Sequence, residues 1–544
     1  MFNDYMSRLK NEFSGYNSQK LIKDALAGLT VAAVALPLAL AFGVSSGADA
    51  GAGLITAIVA GLLIGGLSGA SYQISGPTGA MSAILIGLST TYGLQGVFVA
   101  SFISGLMLLL ASIFKFGRIV SFIPASVITG FTSGIAIIIA GGQLDNFFGV
   151  TSKGSNMLEK IFSYFELGFD INAQAVFFGM LVIVIMIFWP KKWEGIFPSS
   201  LAGIIIALII NLIFKLDVAQ VGAIPTTLFP EARLSIGAIN FKNISNLVMP
   251  AFSIAMLGMI ESLLCGASAS KMKNEKLNAD QELFAQGIGN MIIPFFGGVP
   301  ATAAIARTSV AIKAGGQTRL VSIFHSVALL ISMFLLGPYM SKIPLSALAG
   351  VLIMTAWRMN EWQEIRGFFT KKIKTNLSQF LITMIATVIF DLTVAIIIGV
   401  FVSIVLFVIN SSELDIEVSN IEPNRVGKEL NYHHQDTKVV YLAGPLFFAN
   451  QEQLSLEIEK CINDTGYIIL SMRGVSLIDE SGIRELTNIH SLCQNNKIQL
   501  LFAGVQKNVK SQMQRYQFID IVGYDSFCWD VIEALDRIEK QVKN

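Results

Sequence analysis

Charge is scarce in this chain. Only 14% of its 544 residues are Asp, Glu, Lys or Arg, whereas soluble domains carry about 25%. Hydrophobic residues make up 53%, and the mean hydropathy is +0.63. That balance excludes a wholly soluble molecule and points to a membrane. Cysteine is scarcer still. Cys265, Cys461, Cys493 and Cys528 are the four present, and their spacing fits neither a metal site nor a disulfide framework. There are four histidines, and no His/Cys/Asp grouping of the kind metal catalysis needs. The formal net charge is +1, so nothing indicates a nucleic-acid partner. Residues 1–23 are polar and charged, so no signal peptide is expected.

What remains is long apolar runs. From about Leu26 to Asn410 they follow one another with short loops between, and from Ser411 the chain reads as an ordinary soluble domain. A crossing helix needs about 20 residues, fewer where it is broken. Fourteen segments satisfy this: 24–46, 51–70, 78–93, 95–114, 121–142, 173–189, 199–215, 247–270, 282–296, 301–314, 319–337, 343–356, 376–391 and 393–410. The expected organisation is a cytoplasmic N-terminal segment (1–23), a membrane domain (24–410), a linker (411–435, around Glu422-Pro423-Asn424 and Gly427) and a soluble domain (436–544). Phe2, Tyr5, Met6, Leu9 and Phe13 recur at helical spacing, which reads as a helix lying on the membrane or as a loosely ordered arm. Arg8, Lys10, Lys20 and Lys23 place the N-terminus inside. Lys115/Arg118, Lys191/Lys192, Lys271/Lys273/Lys276, Lys313/Arg319 and Lys371/Lys372/Lys374 then fall on the same side. An even number of spans leaves both termini in the cytoplasm of a multi-pass cell-membrane protein.

Two of the apolar stretches are interrupted, at Ser75-Gly76-Pro77-Thr78-Gly79-Ala80 and at Gly297-Gly298-Val299-Pro300-Ala301-Thr302-Ala303-Ala304. Pro lacks an N–H and Gly lets the chain leave the helix, so each span becomes a half-helix. The first amides of a half-helix are unpaired and sit at the positive end of its dipole, which favours an anion. Ile123-Pro124-Ala125-Ser126 with Gly130 returns as Ile343-Pro344-Leu345-Ser346 with Gly350. The two interruptions recur at nearly the same offset. Two halves of seven spans each, about 24–215 and 247–410, must insert in opposite orientations, an inverted repeat.

These residues resemble a known family. Gly28–Gly51, the 75–80 cluster, Glu261-Ser262-Leu263-Leu264, Gln286-Gly287-Ile288-Gly289-Asn290 and Phe296–Arg319 are similar to the SulP anion transporters. That family spans sulfate permeases, bicarbonate transporters and dicarboxylate carriers. The resemblance implies a seven-plus-seven inverted repeat with core and gate domains, a homodimer, and a substrate site between the third and tenth spans. Ser45–Leu54 lacks the Pro-x-Tyr-Gly-Leu-Tyr signature of many sulfate-transporting members and reads more like the bicarbonate-transporting ones.

Candidate substrate ligands follow. Thr78, at the start of a half-helix, can donate its hydroxyl to an anion or cap its own helix. Ala303, Ala304, Ile305 and Ala306 would present backbone amides, although small residues also suit close helix packing. Arg307, one turn further, either adds positive potential to the site or pairs with a carboxylate. Glu261 is the carboxylate in an otherwise uncharged span, Ala251–Ser270. It can carry a proton with the anion, hold sodium beside backbone carbonyls, or pair with Arg307. The resemblance implies Asp and, one turn on, Thr at these positions in sodium-coupled bicarbonate relatives, where this chain has Glu261 and Cys265. A thiol is a poor ligand for a hard cation, so proton coupling is the expectation. No cofactor other than a coupling H+ or Na+ is implied. Asp391 reads as a helix-end residue, Asp145 and Asn146 as the end of the fifth span, and His325 as a packed core residue.

In the tail, strands at 439–442, 467–470 and 498–502 alternate with helices at 450–463, 480–494, 506–516 and 528–541, an α/β domain. Leu477-Ile478-Asp479-Glu480-Ser481-Gly482 resembles the central motif of the STAS domain, in which the Ser before the Gly is phosphorylated. Ser481 is therefore a candidate regulatory site for a cytosolic partner, or a helix cap. The leading reading is a secondary-active transporter of bicarbonate, sulfate or a dicarboxylate. An uncoupled channel or exchanger, and a sensor signalling through its tail, are the alternatives. Enzymatic turnover is not expected.

Overall fold

The computed structural model describes residues 2–118, 123–153, 157–190, 192–193, 197–235, 241–371, 373–390, 392–412, 414–420, 436–462 and 465–543. It divides into two compact units, Met1–Val400 and Phe401–Asn544. Of the expected positions, Asp391 and the linker residues Glu422, Pro423, Asn424 and Gly427 lie outside the described residues.

After an N-terminal helix α1 (Phe2–Glu12), the first half of the membrane region runs α2 (Ser18–Ser45), α3 (Ala50–Leu67), β1 (Ser75–Gly76), α4 (Gly79–Ile113), α5 (Ala125–Gly142), α6 (Leu144–Phe148), α7 (Met157–Leu167), α8 (Ala173–Phe188) and α9 (Ser199–Phe214). The second half runs α10 (Phe241–Lys273), α11 (Ala279–Ile292), β2 (Thr302–Ala303), α12 (Ile305–Lys313), α13 (Leu320–Met340), α14 (Leu345–Met359), α15 (Trp362–Thr370), α16 (Lys374–Ile389) and α17 (Leu392–Ser411). The expected third and fourth spans are one element, α4, bent at Gly93, whose φ of +67° suits a residue without a Cβ. Counting α4 twice gives seven spans in each half. The halves correspond locally: β1 leads into α4 as β2 leads into α12, and Pro124 and Pro344 stand at the N-caps of α5 and α14.

The helices sort into two bundles. α2, α3, α4, α10, α11, α12 and α13 pack on one another, and α5, α8, α9, α14 and α16 form the second group. Close approach inside each rests on glycine, as is usual where lipid supplies no hydrophobic drive. A Cβ on Gly53 would lie 2.0 Å from the Ala39 carbonyl across α2–α3, and one on Gly350 would lie 2.6 Å from the Gly179 carbonyl across α14–α8.

The N-terminal segment is a helix, which sets aside the loosely ordered arm. α1 is docked on protein. Tyr5 donates to the Gly66 carbonyl at 2.7 Å, Asn278 donates to Asp4 at 2.9 Å, and Glu12 pairs with Arg319 at 2.7 Å with both side chains buried. The following turn is held likewise. The fully buried Asp24 accepts from Tyr16 at 2.9 Å, from Thr318 Oγ1 at 2.6 Å and from the Gln317 amide at 2.6 Å. Burial, and then the bond to Asp24, push the Tyr16 phenol up to about 12.

The second unit contains β3 (Asp415–Asn420), β4 (Thr437–Ala443), α18 (Gln451–Cys461), β5 (Tyr467–Gly474), α19 (Glu480–Asn495), β6 (Gln499–Ala503), α20 (Lys507–Arg515), α21 (Phe518–Val522), β7 (Phe527–Cys528) and α22 (Val531–Lys543). The sheet order is β3-β4-β5-β6-β7, with β3 antiparallel to β4 and the other pairs parallel. β3 falls in the stretch read as linker. Strand residues alternate between two cores: Val440, Ile468, Leu470, Leu500 and Phe502 face α18–α21, whereas Val439, Ile469 and Leu501 face α22.

Candidate functional site

The two interrupted spans meet. Ser75 pairs with Ala303 and Gly76 with Thr302 in a two-residue antiparallel ladder, so α4 and α12 begin side by side and depart in opposite directions. This pairing was not legible in the sequence, because two residues per strand carry no alternation to read. Thr78 caps α4, accepting from the Met81 amide at 3.4 Å. Its hydroxyl also donates to Glu261 Oε2 at 2.9 Å. The hydroxyl therefore both caps α4 and holds the Glu261 carboxylate. Thr302 Oγ1 lies 2.7 Å from the same carboxylate oxygen and 3.2 Å from Thr78 Oγ1.

One face of α10 holds both stubs. Beside Glu261, the Ser262 hydroxyl accepts from the Ala303 amide at 3.1 Å, and its carbonyl accepts from Gln73 at 2.8 Å. Cys265, one turn on and fully buried, directs its thiol to Thr308 Oγ1 at 3.4 Å. Ion coupling through Cys265 finds no support in this contact, since the sulfur faces α12.

The amide set needs a correction. The Ala303 amide is taken by Ser262, and the Ala304 amide donates to the Ile74 carbonyl at 2.9 Å. Strand pairing runs through Ala303, and α12 opens at Ile305 where the expected span began at 301, so these two cannot offer free N–H groups. α12 opens at Ile305, and among the described residues the amides of Ile305, Ala306 and Arg307 have no partner. Gly79 and Ala80 are left likewise at α4.

Arg307 is the largest almost fully buried side chain among the described residues, 1% exposed. One terminal nitrogen, Nη2, donates to the Pro77 carbonyl, while Nε and Nη1 have no partner. Among the described residues no direct ion pair joins it to Glu261, and the two charges interact through space. Gly76 makes its place: a Cβ there would lie 2.3 Å from Nη1. A buried guanidinium with two unmet donors is the feature here most suited to an anion.

Sequence reasoning passed over Glu282. It is fully buried and accepts from Ser68 Oγ at 2.6 Å, the Gly69 amide at 3.0 Å and Gln286 Nε2 at 2.9 Å. Gln286 in turn lies 3.0 Å from Ser75 Oγ. Glu282 thus braces β1 from behind, and both its oxygens are engaged, whereas at the half-buried Glu261 the bonds described all fall on Oε2. An acidic residue at the very head of an expected span, 282–296, was the available signal. His325 is fully buried, with neither ring nitrogen partnered.

A cavity of about 840 Å³ reaches the first turn of α4 at Gly79 and Ser82. The ends of α2 and α5, the early part of α10 and the end of α16 enclose it, so it opens on the face opposite the N-terminus. Asp145, Asn146 and Lys160 stand in its wall. Asp145 is spent on Tyr164 at 2.8 Å, Ser152 at 2.6 Å and Lys160 at 3.6 Å. In the second unit Asp479, not Ser481, caps α19, accepting from the Gly482 amide at 2.8 Å. The cap reading of Ser481 is thereby overturned, because the cap lies two residues earlier.

Residues 21–387 match the sulfate permease family, and residues 430–534 match the STAS domain. The chain belongs to the sulfate permease family. As a member it is a membrane anion transporter, not an enzyme, with fourteen spans in two inverted repeats of seven and a C-terminal STAS domain. It is 33% identical over 536 residues to the putative sulfate transporter YvdB of Bacillus subtilis, covering 96% of this chain and 98% of that one. The bicarbonate transporter BicA of Picosynechococcus is 27% identical over 535 residues, 94% of each chain. Among solved structures, this permease superposes on the transmembrane domain of a cyanobacterial BicA with TM-score 0.63 at 27% identity, over 72% of this chain and 98% of that one. The murine Solute Carrier 26 member A9 anion transporter shares the fold with TM-score 0.82 at 18% identity, over 97% and 92% of the chains.

Proposed function

We propose that this permease is a secondary-active, proton-coupled transporter of a small anion, bicarbonate, sulfate or a dicarboxylate, working by alternating access. One observation carries the reading: the unpaired guanidinium of Arg307 lies against the junction where two half-helices begin and where Glu261 meets Thr78 and Thr302. The free amides of Gly79, Ala80, Ile305 and Ala306 complete a shell of donors, and the Thr78 hydroxyl joins it once its proton is released from Glu261. Sulfate and bicarbonate transport in the names of the relatives supports this substrate class.

Coupling follows from charge. Arg307 and Glu261 balance while the site is empty. An entering anion adds a negative charge beside the Glu261 carboxylate, and a proton on Glu261 removes the repulsion. Anion and proton therefore favour each other's binding. Sodium is the weaker alternative, because Cys265 is committed to Thr308 and the hydroxyls of Thr78 and Thr302 point their protons at Glu261.

Lysine and arginine distribution supports termini in the cytoplasm, and with that orientation the cavity at Gly79 faces outward. The core bundle and the gate bundle (α5, α8, α9, α14, α16) would move relative to each other to close it. Homodimerisation and regulation through the STAS domain, including modification of the uncapped Ser481, belong to the same reading. The test is uptake into proteoliposomes of bicarbonate, sulfate, fumarate and chloride, each with and without imposed proton and sodium gradients. Accumulation of one of them driven by an inward proton gradient is expected. Uptake indifferent to both gradients would leave an exchanger or channel.

A further inference from the structure

The four tryptophans of the membrane unit collect on one rim. Trp189 follows α8 and stacks edge-on with Trp193, ring centres 5.6 Å apart. Trp357, near the end of α14, lies 4.4 Å from Trp362, the first residue of α15, whose indole N–H donates to the Trp357 carbonyl at 3.0 Å. The rim is continuous. Arg358 reaches from α14 to the Met186 carbonyl on α8 at 2.8 Å, Phe368 of α15 packs on Phe380 of α16 at 5.6 Å, and Thr129 of α5 donates to Glu361 at 2.8 Å. Trp193, Trp357 and Phe369 are 56%, 60% and 53% exposed, so aromatic surface faces outward here.

α15 is short and amphipathic. It buries Phe368 inward and turns Trp362 and Phe369 outward, with Arg366 beside them. Basic groups crowd the same edge. Among the described residues of the rim, Lys192, Arg358, Arg366, Lys371 and Lys374 face two acidic residues, Glu361 and Glu364, and Glu361 is already engaged by Thr129. Indole rings prefer the headgroup level, and juxtamembrane cations attract anionic lipid. A water-facing surface would not need the aromatic half of this pattern, and a surface in the acyl region would not tolerate the charged half.

We propose that this rim binds the headgroup of an anionic phospholipid, its phosphate between Arg366, Lys371 and Lys374 and its glycerol and upper acyl chains against Trp357 and Trp362. The site lies on the bundle that contributes no donor to the anion site, and it fixes that bundle at the headgroup plane.

Tryptophan quenching by brominated lipid tests this directly. The full-length chain with Trp189, Trp193 and Trp529 changed to Phe, reconstituted in phosphatidylcholine vesicles, reports from Trp357 and Trp362. Brominated phosphatidylglycerol is expected to quench at a several-fold lower mole fraction than brominated phosphatidylcholine. Lys371→Gln and Lys374→Gln should each reduce that preference about fivefold, and Glu364→Gln should raise it. Equal quenching by the two lipids overturns the proposal. So does an anionic preference that survives both lysine substitutions, and so does absence of quenching by either lipid, which would mean that protein covers the rim.

Discussion

The Thr78 hydroxyl meets Glu261 Oε2 at 2.9 Å, joining the cap of one half-helix to a carboxylate on α10. Thr302, from the stretch leading into the opposite half-helix, reaches the same oxygen at 2.7 Å. A single titratable group is therefore bonded to both halves of the inverted repeat at their crossing. Any change in its charge is felt by both half-helix starts at once, which is what coupling of a proton to an anion requires.

Removing one hydroxyl should weaken this junction without dismantling it. Hydrogen bonds to charged groups contribute about 1.5–3 kcal/mol. Thr78→Val should raise the KM for anion uptake on the order of tenfold, as Thr78 also caps α4 next to the free amides of Gly79 and Ala80. Thr302→Val should alter the pH dependence of uptake more than its KM, because Thr302 touches Glu261 and not the free amides. Initial-rate uptake over a pH series distinguishes the two.

Arg307 allows a sharper comparison. Its guanidinium has two donors unmet and one pointed at the Pro77 carbonyl. Arg307→Gln should cost roughly 10- to 100-fold in anion affinity, the loss of one charge-assisted bond or more. Arg307→Lys keeps the charge and loses the fork, and should fall between. Binding of the transported anion to purified protein, measured by calorimetry, checks the order.

The docked N-terminus predicts a stability effect far from the site. Breaking a buried ion pair from one side costs about 3–5 kcal/mol because the other charge is stranded. Glu12→Gln should lower the melting temperature of the detergent-solubilised protein, and adding Arg319→Met should restore part of the loss. Equal melting of wild type and single variant would show that α1 is not held as described.

Thiol chemistry reports on the STAS domain. Burial pushes the Cys493 thiol up to about 11, and Cys461 and Cys528 are raised by the same cause. Little thiolate exists at neutral pH, so maleimide should label these three slowly in the native protein and quickly after urea. Raising the pH toward 11 should accelerate native labelling of Cys493.

Much of this was legible from residues. The apolar runs located the spans because lipid forces backbone bonds to close within each helix, and Pro77 and Pro300 with their glycines marked the two breaks. Glu261 and Arg307 stood out because charge inside an apolar run is expensive. What could not be read depended on contacts distant in sequence. The β1–β2 ladder joins residues more than two hundred positions apart, and it determines which amides of 303–307 remain free. The fate of α1 depended on Arg319, and the cap of α19 on the register of a single turn, Asp479 against Ser481.

The most direct test of the account is transport by Glu261→Gln in proteoliposomes, with accumulation under an inward proton gradient and counterflow exchange measured on the same preparation. The account predicts that the variant exchanges anion across the membrane but no longer concentrates it. Concentrative uptake equal to that of wild type would contradict it.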